Sequence, residues 1–299
     1  MLLILRSTQK LLRKTREFNK KITHHLKNAG VDFSFSSFEA IELFMETDKI
    51  GLFIEGKPLS TWKTIYPRKV GPHKLLAFIL ATLCKENKQT FIDRFHENYS
   101  PMAKVIQVFL FAKNGIPIPK TYYSPVYSPK QIKSAINFLN LPVVVKQCNT
   151  SQGTGVFLAK TPTQLKKAIE ALLANKNKGS VFLQEFIPNT FEYRVFVTGK
   201  RVGAVEKKIR TKEGEFRNNV FLGAREEFLK TSTVKKNILD LALKASRVSN
   251  TQVSGVDIVD SNGRLVVFEV NSCPGLTMEE KISPELSSLA NYLKECEKK

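Results

Sequence analysis

The chain has 299 residues, and its 42% hydrophobic and 10% aromatic content is typical of a globular protein with a core of its own. Its 47 basic and 27 acidic residues give a formal net charge of +20, which predicts an anionic partner such as a nucleotide, a nucleic acid, an acidic polypeptide or a membrane surface. No apolar run approaches the roughly 20 residues that span a bilayer, and no nucleic-acid-binding motif is present. We therefore expect no membrane-spanning segment, and nucleic-acid binding stays an alternative without support.

The first 98 residues predict a small α/β unit. We expect strands at about 2–5, 31–38, 50–54 and 90–92, and helices at about 8–28 and 72–85. The first helix is strongly basic, and Gly30 is a typical C-terminal signal for it. Strands that alternate with helices favour a mostly parallel sheet. No catalytic constellation is apparent in this unit.

Residues 99–180 predict a second unit, which opens with Ser100 and Pro101 at the N-cap and N1 positions of a helix. We expect helices at about 100–114, 129–140 and 163–174, and strands at 143–146 and 156–159. The polar loop 149–155 joins the two strands. It is not a Walker phosphate loop, which lies between a strand and a helix and ends in Gly-Lys-Ser/Thr. A glycine-containing loop of this kind can still cover phosphates with its backbone N–H groups.

Residues 181–299 predict a third unit. We expect strands at 181–187, 192–197 and 201–209, a helix at 232–248, a hairpin within 253–276 and a C-terminal helix at 284–298. The segment 213–223 is polar and bounded by glycine, which indicates a loop over a site.

The hairpin carries polar residues inside two apolar runs that flank an Asp-Ser-Asn-Gly turn signal. Glu269 and Asn271 are two residues apart, so on a strand their side chains point to the same face. Asp257 joins that face if an odd number of residues forms the loop. A tight Asn262-Gly263 turn would put it on the opposite face, and the sequence leaves both arrangements open.

A buried carboxylate is costly unless it is paired or coordinates a metal. Asp257, Glu269 and Asn271 offer hard oxygen ligands, which favour magnesium or manganese over zinc. The alternative is a hairpin with one solvated face and ordinary polar residues. Against it, the run Val266 to Val270 is apolar apart from Glu269.

The most specific motifs are Gly255-Val-Asp-Ile and Glu269-Val-Asn-Ser-Cys-Pro-Gly-Leu, followed by Ser151-Gln-Gly-Thr-Gly-Val and Glu213-Gly-Glu-Phe-Arg-Asn-Asn. These motifs follow one another along the chain in an order consistent with one family. Over about 100–276 the chain resembles the ATP-grasp superfamily, closest to its RimK-like branch of carboxylate–amine ligases. The resemblance implies an α/β (α+β) ATP-grasp fold. It also implies an N-terminal pre-grasp domain at 1–98, a central subdomain with a phosphate flap at 99–180 and a C-terminal subdomain with a metal site at 181–299.

The resemblance also implies roles for the residues at matched positions. Asp257, Glu269 and Asn271 would bind magnesium or manganese, with two ions expected. Arg194, Arg217 and Asn218 would be catalytic groups at the reacting phosphoryl and acyl centres. The implied nucleotide-binding residues are Lys104, Lys146, Ser151, Gln152, Gly153, Gly155, Gln184, Glu185, Phe186, Ile187, Glu192, Lys207, Arg217, Asn218 and Asn219.

The implied reaction has two steps. ATP phosphorylates a carboxylate, and an amine then attacks the acyl phosphate to give an amide and free phosphate. The net charge favours a glutamyl-type acid, in a peptide, a protein tail, a carrier protein or a poly-glutamyl compound, with an amino acid as the amine. A macrocyclising ligase belongs to the same reaction class. The alternatives are an ATP-grasp kinase that phosphorylates a small anion such as an inositol phosphate, and a non-catalytic module that binds RNA or ribosomes.

The four cysteines are scattered without a C-x-x-C pair, which indicates free thiols in a reducing compartment. Arg6 follows the first apolar residues at once, which is the reverse of the charge order in a signal peptide. We therefore expect a cytoplasmic protein. A homo-oligomer remains open.

Overall fold

The computed structural model describes residues 1–8, 13–98, 104–148, 150, 155–174, 179–212, 214–218, 223–277 and 284–298. Helices and sheets alternate along these stretches, so the predicted α/β class is confirmed. Among the described helices, none combines the length and the apolar character that a membrane span requires.

The first 98 residues contain two sheets. Their elements are β1 (Leu2–Arg6), α1 (Arg13–Asn28), β2 (Phe33–Ser37), β3 (Ile41–Glu46), β4 (Lys49–Ile54), β5 (Lys57–Pro58), β6 (Thr64–Lys69), α2 (Lys74–Glu86) and β7 (Thr90–Phe91). The first sheet is parallel, in the order β2-β1-β6-β7, as predicted. The predicted strand at 50–54 lies instead in an antiparallel sheet, β3-β4-β5. The two-residue connection between β3 and β4, with Asp48 at φ 61°, allows only antiparallel pairing.

The middle of the chain forms one antiparallel sheet. Its elements are α3 (Lys104–Lys113), β8 (Thr121–Tyr123), α4 (Pro129–Leu139), β9 (Val143–Gln147), β10 (Val156–Ala159), α5 (Pro162–Leu173) and β11 (Val181–Glu185). The strand order is β10-β9-β11-β8. Val143, Val145 and Leu183 pack with α4 and α5 on one face. Strand alternation therefore directs Lys146 and Gln184 to the other face.

The last third forms a five-stranded antiparallel sheet in the order β14-β13-β12-β15-β16. Its elements are β12 (Phe191–Thr198), β13 (Arg201–Ile209), β14 (Arg225–Leu229), α6 (Lys236–Val248), β15 (Val253–Ser261), β16 (Arg264–Asn271) and α7 (Glu285–Lys298). Helix α6 covers one face with an apolar core. Helix α7 packs against α1 and against β12 and β13, so it links the first unit to the last.

The β15–β16 hairpin differs from both arrangements left open by the sequence. Its turn is the tight pair Asn262-Gly263, with φ angles of 53° and 86°. A bulge at Phe268 then adds one residue to β16, so that Ile258 pairs with Val267 and Asp257 pairs with Glu269. Beyond this extra residue, each side chain of β16 points to the face opposite to the one it would take in a regular hairpin. Asp257 therefore shares a face with Glu269 and Asn271 despite the tight turn.

Candidate functional site

One face of the five-stranded sheet carries six charged residues and one amide from four strands, which we call the carboxylate cluster: Glu192, Arg194, Glu206, Lys208, Asp257, Glu269 and Asn271. Cross-strand pairing explains why they meet. Arg194 lies between Asp257 on one side and Glu206 on the other, and Glu192 lies opposite Lys208. The opposite face of this sheet is packed against α6, so the cluster occupies the face that the helix leaves uncovered.

Asp257 is the centre of the cluster and is only 5% exposed. Arg194 donates two parallel hydrogen bonds to its carboxylate, from Nε to Oδ1 at 2.9 Å and from Nη2 to Oδ2 at 2.8 Å. Lys208 Nζ donates to Oδ1 at 3.3 Å, and Asn271 Nδ2 donates to Oδ2 at 3.3 Å. Burial alone would raise the pKa of Asp257, but the two cations hold it below its ordinary value.

Glu192 on β12 and Glu206 on β13 have raised pKa values, in contrast to Asp257. Burial and the nearby charge of Asp257 raise the pKa of Glu192 to about 7, although Lys208 Nζ lies 3.5 Å from its Oε1. Burial raises the pKa of Glu206 to about 8, with Arg194 Nε at 3.8 Å. The cluster therefore holds ionised and easily protonated carboxyl groups side by side, which is characteristic of functional sites.

Two lysines from other elements reach the cluster. Lys104, the first described residue of α3, places Nζ 3.0 Å from Glu269 Oε2 and keeps the pKa of that half-buried carboxyl below its ordinary value against the effect of burial. Lys146 on β9 lies with Nζ 5.3 Å from the centre of the Phe268 ring. Burial and the charge of Lys104 lower the pKa of Lys146 to about 8. The ring of the bulged residue Phe268 therefore packs against the ammonium group of Lys146.

The donor set tests whether a hard cation and a triphosphate fit here. Within the described residues no three His, Cys, Asp or Glu side chains converge as a ready metal site, so the predicted set depends on the Asn271 amide as its third donor. Asp257 and Glu269 pair directly across the hairpin, and each is held by basic side chains. Paired carboxylates surrounded by cations fit a site that receives a divalent cation together with phosphate oxygens.

The residues predicted to bind the adenine edge lie where β11 ends. Gln184 donates from Nε2 to Thr121 Oγ1 at 2.9 Å, whereas its buried Oε1 has no hydrogen-bond partner among the described residues. Ile187 packs with Phe268 in a small apolar cluster. Glu185 turns away, since its Oε1 accepts a bond from the backbone N–H of Lys120 at 2.6 Å and its carboxylate pairs with Arg264.

The loop 214–218 and strand β10 line an open cavity of about 410 Å³. The lining includes Gly155, Phe157, Lys160, Phe216 and Arg217. The Phe216 ring also meets Phe186 edge to face, with the ring centres 6.4 Å apart. This loop therefore lies beside both β10 and the residues that follow β11, the predicted nucleotide-binding strand.

Two predicted catalytic residues in this loop have partners of their own. Arg217 donates from Nε and Nη2 to the two carboxylate oxygens of Glu215, at 2.8 and 2.7 Å. The buried Asn218 donates from Nδ2 to Asn189 Oδ1 at 2.7 Å, and its own Oδ1 has no hydrogen-bond partner in the described part of the chain. Ser151, Gln152, Gly153 and Asn219 lie outside the described residues.

Lys207, for which the resemblance implies nucleotide binding, lies on the opposite face of the sheet from the carboxylate cluster. A bulge between Phe196 and Val197 adds Gly203 to β13, so that Lys207 pairs with Tyr193 on the helix-covered face and its Nζ lies 4.6 Å from the centre of the Phe191 ring. The bulge turns the neighbouring Lys208 into the cluster instead, where it is 3% exposed. Sequence reasoning missed both Lys208 and Glu206. The alternation of side chains along β13 could have indicated that they face the cluster, but only if the bulge at Gly203 were known.

We expect Lys208→Met to lower kcat/KM for ATP turnover by about a hundredfold, because it removes the cation between Asp257 and Glu192. The matched change Lys207→Met should alter kcat/KM by less than about threefold, within the range of surface substitutions. Steady-state kinetics of both variants, with circular dichroism to check folding, measure the difference. Equal losses in the two variants would contradict the assignment of Lys208 to the site.

Side chains pack closely over Gly255, which lies on β15 near the cluster. A Cβ at this position would lie 2.9 Å from Pro274 Cβ and 3.3 Å from Arg194 Cδ. We expect Gly255→Ala to lower kcat by about tenfold or more, since a displacement of under 1 Å in a positioning group is costly. Gly275→Ala is the control, because among the described residues no atom beyond its two chain neighbours lies within 4 Å of its added Cβ. Full activity of Gly255→Ala would show that Arg194 and Pro274 need not stay in place.

Comparison with known proteins identifies the family of the chain. Residues 102–286 match the RimK-like ATP-grasp domain. The chain is 30% identical over 267 residues to the “Probable alpha-L-glutamate ligase” of Pseudomonas fluorescens strain SBW25, covering 85% of this chain and 84% of that protein. Identity and coverage are the same for the relative of that name in Pseudomonas syringae pv. tomato strain DC3000.

Solved structures with low sequence identity share the fold. The ATP-grasp ligase PsnB, in complex with a minimal precursor, matches with a TM-score of 0.71 at 17% identity, over 99% of this chain and 98% of that one. A RimK domain ATP-grasp protein from Sphaerobacter thermophilus matches with a TM-score of 0.66 at 16% identity, over 98% and 99% of the two chains.

The family match and the relatives together define an ATP-grasp enzyme. The chain belongs to the RimK-like ATP-grasp family, because the domain of that family matches residues 102–286. In addition, a relative that is 30% identical matches 85% of the chain. The predicted activity, an ATP-dependent carboxylate–amine ligase that forms carbon–nitrogen bonds, is confirmed at the level of this family.

Proposed function

We propose that this ligase activates a glutamyl-type carboxylate with ATP and joins it to the amine of an amino acid. The observation that carries the proposal is the carboxylate cluster, in which Asp257 and Glu269 face each other beneath Lys104 and the Arg194 fork. The relatives named as probable alpha-L-glutamate ligases support glutamate as the amino acid.

In this proposal Asp257, Glu269 and Asn271 hold Mg²⁺, with Mn²⁺ as a substitute and two ions as the expected number. The chemistry that such an ion would supply there is neutralisation of the negative charge that develops on the phosphate oxygens. Lys104 and Lys146 bind the same phosphates, and the neutral state that Lys146 can reach near pH 8 makes its contribution sensitive to pH.

The chain supplies orientation and charge, and needs no covalent enzyme intermediate. A carboxylate oxygen of the acid attacks the terminal phosphorus of ATP, the bond to the β-phosphate oxygen breaks, and ADP leaves. The amine nitrogen then attacks the acyl carbon, loses a proton and expels phosphate. Arg194 is well placed to stabilise the negative oxygen that develops at the acyl carbon, because Asp257 and Glu206 fix its guanidinium between them.

The remaining predicted residues take supporting roles. Gln184, Phe186 and Ile187 would enclose the adenine, with Glu192 at the ribose, and the segment from Ser151 to Gly155 would fold over the phosphates. Arg217 and Asn218 would complete the acyl site from their loop. The three predicted units, 1–98, 99–180 and 181–299, would be the parts that surround this cleft.

We propose an acidic peptide or protein tail as the acceptor. The formal net charge of +20 favours an anionic macromolecule. PsnB, which shares the fold, was solved with a precursor peptide and AMPPNP. A cytoplasmic location and a homo-oligomer are compatible with this role.

The test is product analysis. Purified protein is incubated with Mg-ATP, a peptide ending in several glutamates and each amino acid in turn, followed by measurement of ADP, free phosphate and peptide mass. We expect ADP and phosphate in equal amounts, released only when acid and amine are both present, with a mass gain of one or more glutamyl residues. A phosphorylated acceptor without free phosphate would contradict the proposal and indicate a kinase.

A further inference from the structure

Strand β16 lies at the edge of the five-stranded sheet, because it pairs with β15 alone among the described strands. An edge strand presents backbone N–H and C=O groups that no neighbouring strand satisfies. At Val270 these groups lie in the protein interior, since the residue is only 6% exposed. Buried backbone groups without partners are costly, so the partners of Val270 decide how firmly this part of the strand is held.

One side chain satisfies both backbone groups of Val270. The Nε2 of Gln107 donates to the Val270 carbonyl at 2.9 Å, and the Val270 N–H donates to the Oε1 of Gln107 at 2.8 Å. Two residues opposite each other in an antiparallel ladder exchange the same two bonds. The amide of Gln107, which is 8% exposed, therefore replaces a neighbouring strand at this one position.

Val270 lies between the two candidate metal ligands of β16, Glu269 and Asn271. Because side chains alternate along a strand, these two point into the carboxylate cluster, whereas Val270 points into the core beneath α6. A movement of the Val270 backbone would therefore move both ligands together. The bulge at Phe268 interrupts the pairing with β15 directly before Glu269, so the bonds from Gln107 hold the strand where its ladder is irregular.

The helix that carries Gln107 also carries Lys104. The two residues are three apart on α3, so they lie on one face of the helix. Lys104 Nζ lies 3.0 Å from Glu269 Oε2, and Gln107 binds the next residue of the strand. Phe111, one turn further along α3, is fully buried in the same core as Val270. Helix α3 is therefore attached to β16 by three successive contacts, and Gln107 fixes the strand between the two ligands.

We propose that Gln107 is a positioning residue for the metal site of this ligase. Its amide sets the Val270 backbone, so that the side chains of Glu269 and Asn271 stay directed into the cluster. The inference rests on the metal assignment in the proposed function, and it adds a residue that acts only through the strand. An amide suits this role because it offers a donor and an acceptor side by side, without a charge that would compete with the ligands.

The test measures metal binding directly and requires no turnover. Mn²⁺ is titrated into the protein with ADP present, and electron paramagnetic resonance separates protein-bound Mn²⁺ from Mn²⁺ in solution. Gln107→Met keeps the length of the side chain but removes both hydrogen bonds. We expect it to weaken Mn²⁺ binding at least tenfold, the loss typical when a group that orients metal ligands is removed. The affinity for ADP in EDTA, measured by calorimetry, should change by less than about threefold.

Gln89→Met is the matched control, since the Gln89 amide also donates to backbone carbonyls, those of Leu59 and Trp62, but in the N-terminal unit. It should lower the melting temperature as Gln107→Met does, and keep the Mn²⁺ affinity within about twofold of wild type. Gln107→Asn is a second variant, whose shorter amide cannot reach both backbone groups. It should weaken Mn²⁺ binding as well, and it decides the question if Gln107→Met does not fold.

Unchanged Mn²⁺ affinity in the folded Gln107 variants would overturn the positioning role, as would an equal loss of ADP affinity with and without metal. Wild-type protein that bound no Mn²⁺ with ADP would overturn it together with the metal assignment. Mn²⁺ binding that depends on Gln107, without amide formation in the product assay, would contradict the proposed reaction and leave the positioning role standing. Amide formation combined with wild-type Mn²⁺ affinity in Gln107→Met would do the reverse.

Discussion

Asp257→Asn is expected to lower kcat for ADP formation by at least about a hundredfold, because one near-isosteric change removes the charge at the centre of the cluster. Asp257 accepts bonds from Arg194 and Lys208, and its oxygens belong to the proposed metal set. The fold should survive, since Glu206 and Glu192 remain beside the two cations. ADP release measures the activity, and thermal melting followed by circular dichroism measures the folding.

Asp260→Asn is the matched control for this change. Asp260 lies three residues further along the same strand, where it pairs with the exposed Lys235 at 3.0 Å. Surface pairs contribute little, so this variant should keep its activity within about twofold. An Asp257→Asn protein that retained more than a tenth of wild-type kcat would contradict the central role of the carboxylate.

The affinity for ATP is expected to depend on the protonation of Lys146. Burial and Lys104 lower the pKa of Lys146 to about 8, so in the free protein its ammonium is largely charged at pH 7 and largely neutral at pH 9. Bound phosphate favours the charged form. Affinity should therefore be highest below pH 8 and fall as the pH rises above it, by about tenfold per pH unit at most.

Two substitutions test the dependence on pH. Lys146→Ala should bind ATP about tenfold or more weakly at pH 7 and show little further loss up to pH 9. Lys146→Arg should bind with a nearly flat profile over this range, because a guanidinium keeps its proton. Lys166→Ala, at an exposed position on α5, is the control. Calorimetric titrations at pH 7, 8 and 9 that showed the wild-type decline in all variants would exclude Lys146 as its source.

The order of most elements could be predicted from the sequence, because apolar runs and glycine or proline boundaries are local signals. Strand β13 was predicted with the bounds that the structure has. Strand β6 was missed, since its segment contains Pro67 and two basic residues and proline argues against a central strand. Its omission also hid Arg68, whose guanidinium donates to the Pro274 carbonyl.

The membership of the carboxylate cluster was only partly predictable. Asp257 and Glu269 stand out because they interrupt apolar runs, and this pattern is visible without a structure. Which side chains share a face depends on single extra residues, Phe268 in β16 and Gly203 in β13. Gly203 is required because a Cβ there would meet Ser288 Cβ at 2.8 Å, a contact with a distant helix. No local pattern records such a contact, so Lys208 and Glu206 could not be assigned to the cluster from the sequence.

The most direct test of the account follows oxygen from the acceptor into phosphate. An acidic acceptor labelled with ¹⁸O in its reacting carboxylate is incubated with the protein, Mg-ATP and the amino acid that supports turnover. An acyl phosphate intermediate transfers one carboxylate oxygen to the phosphate that is released, so mass spectrometry should find one ¹⁸O in each phosphate formed. Amide product accompanied by unlabelled phosphate would contradict the proposed activation of the carboxylate by ATP.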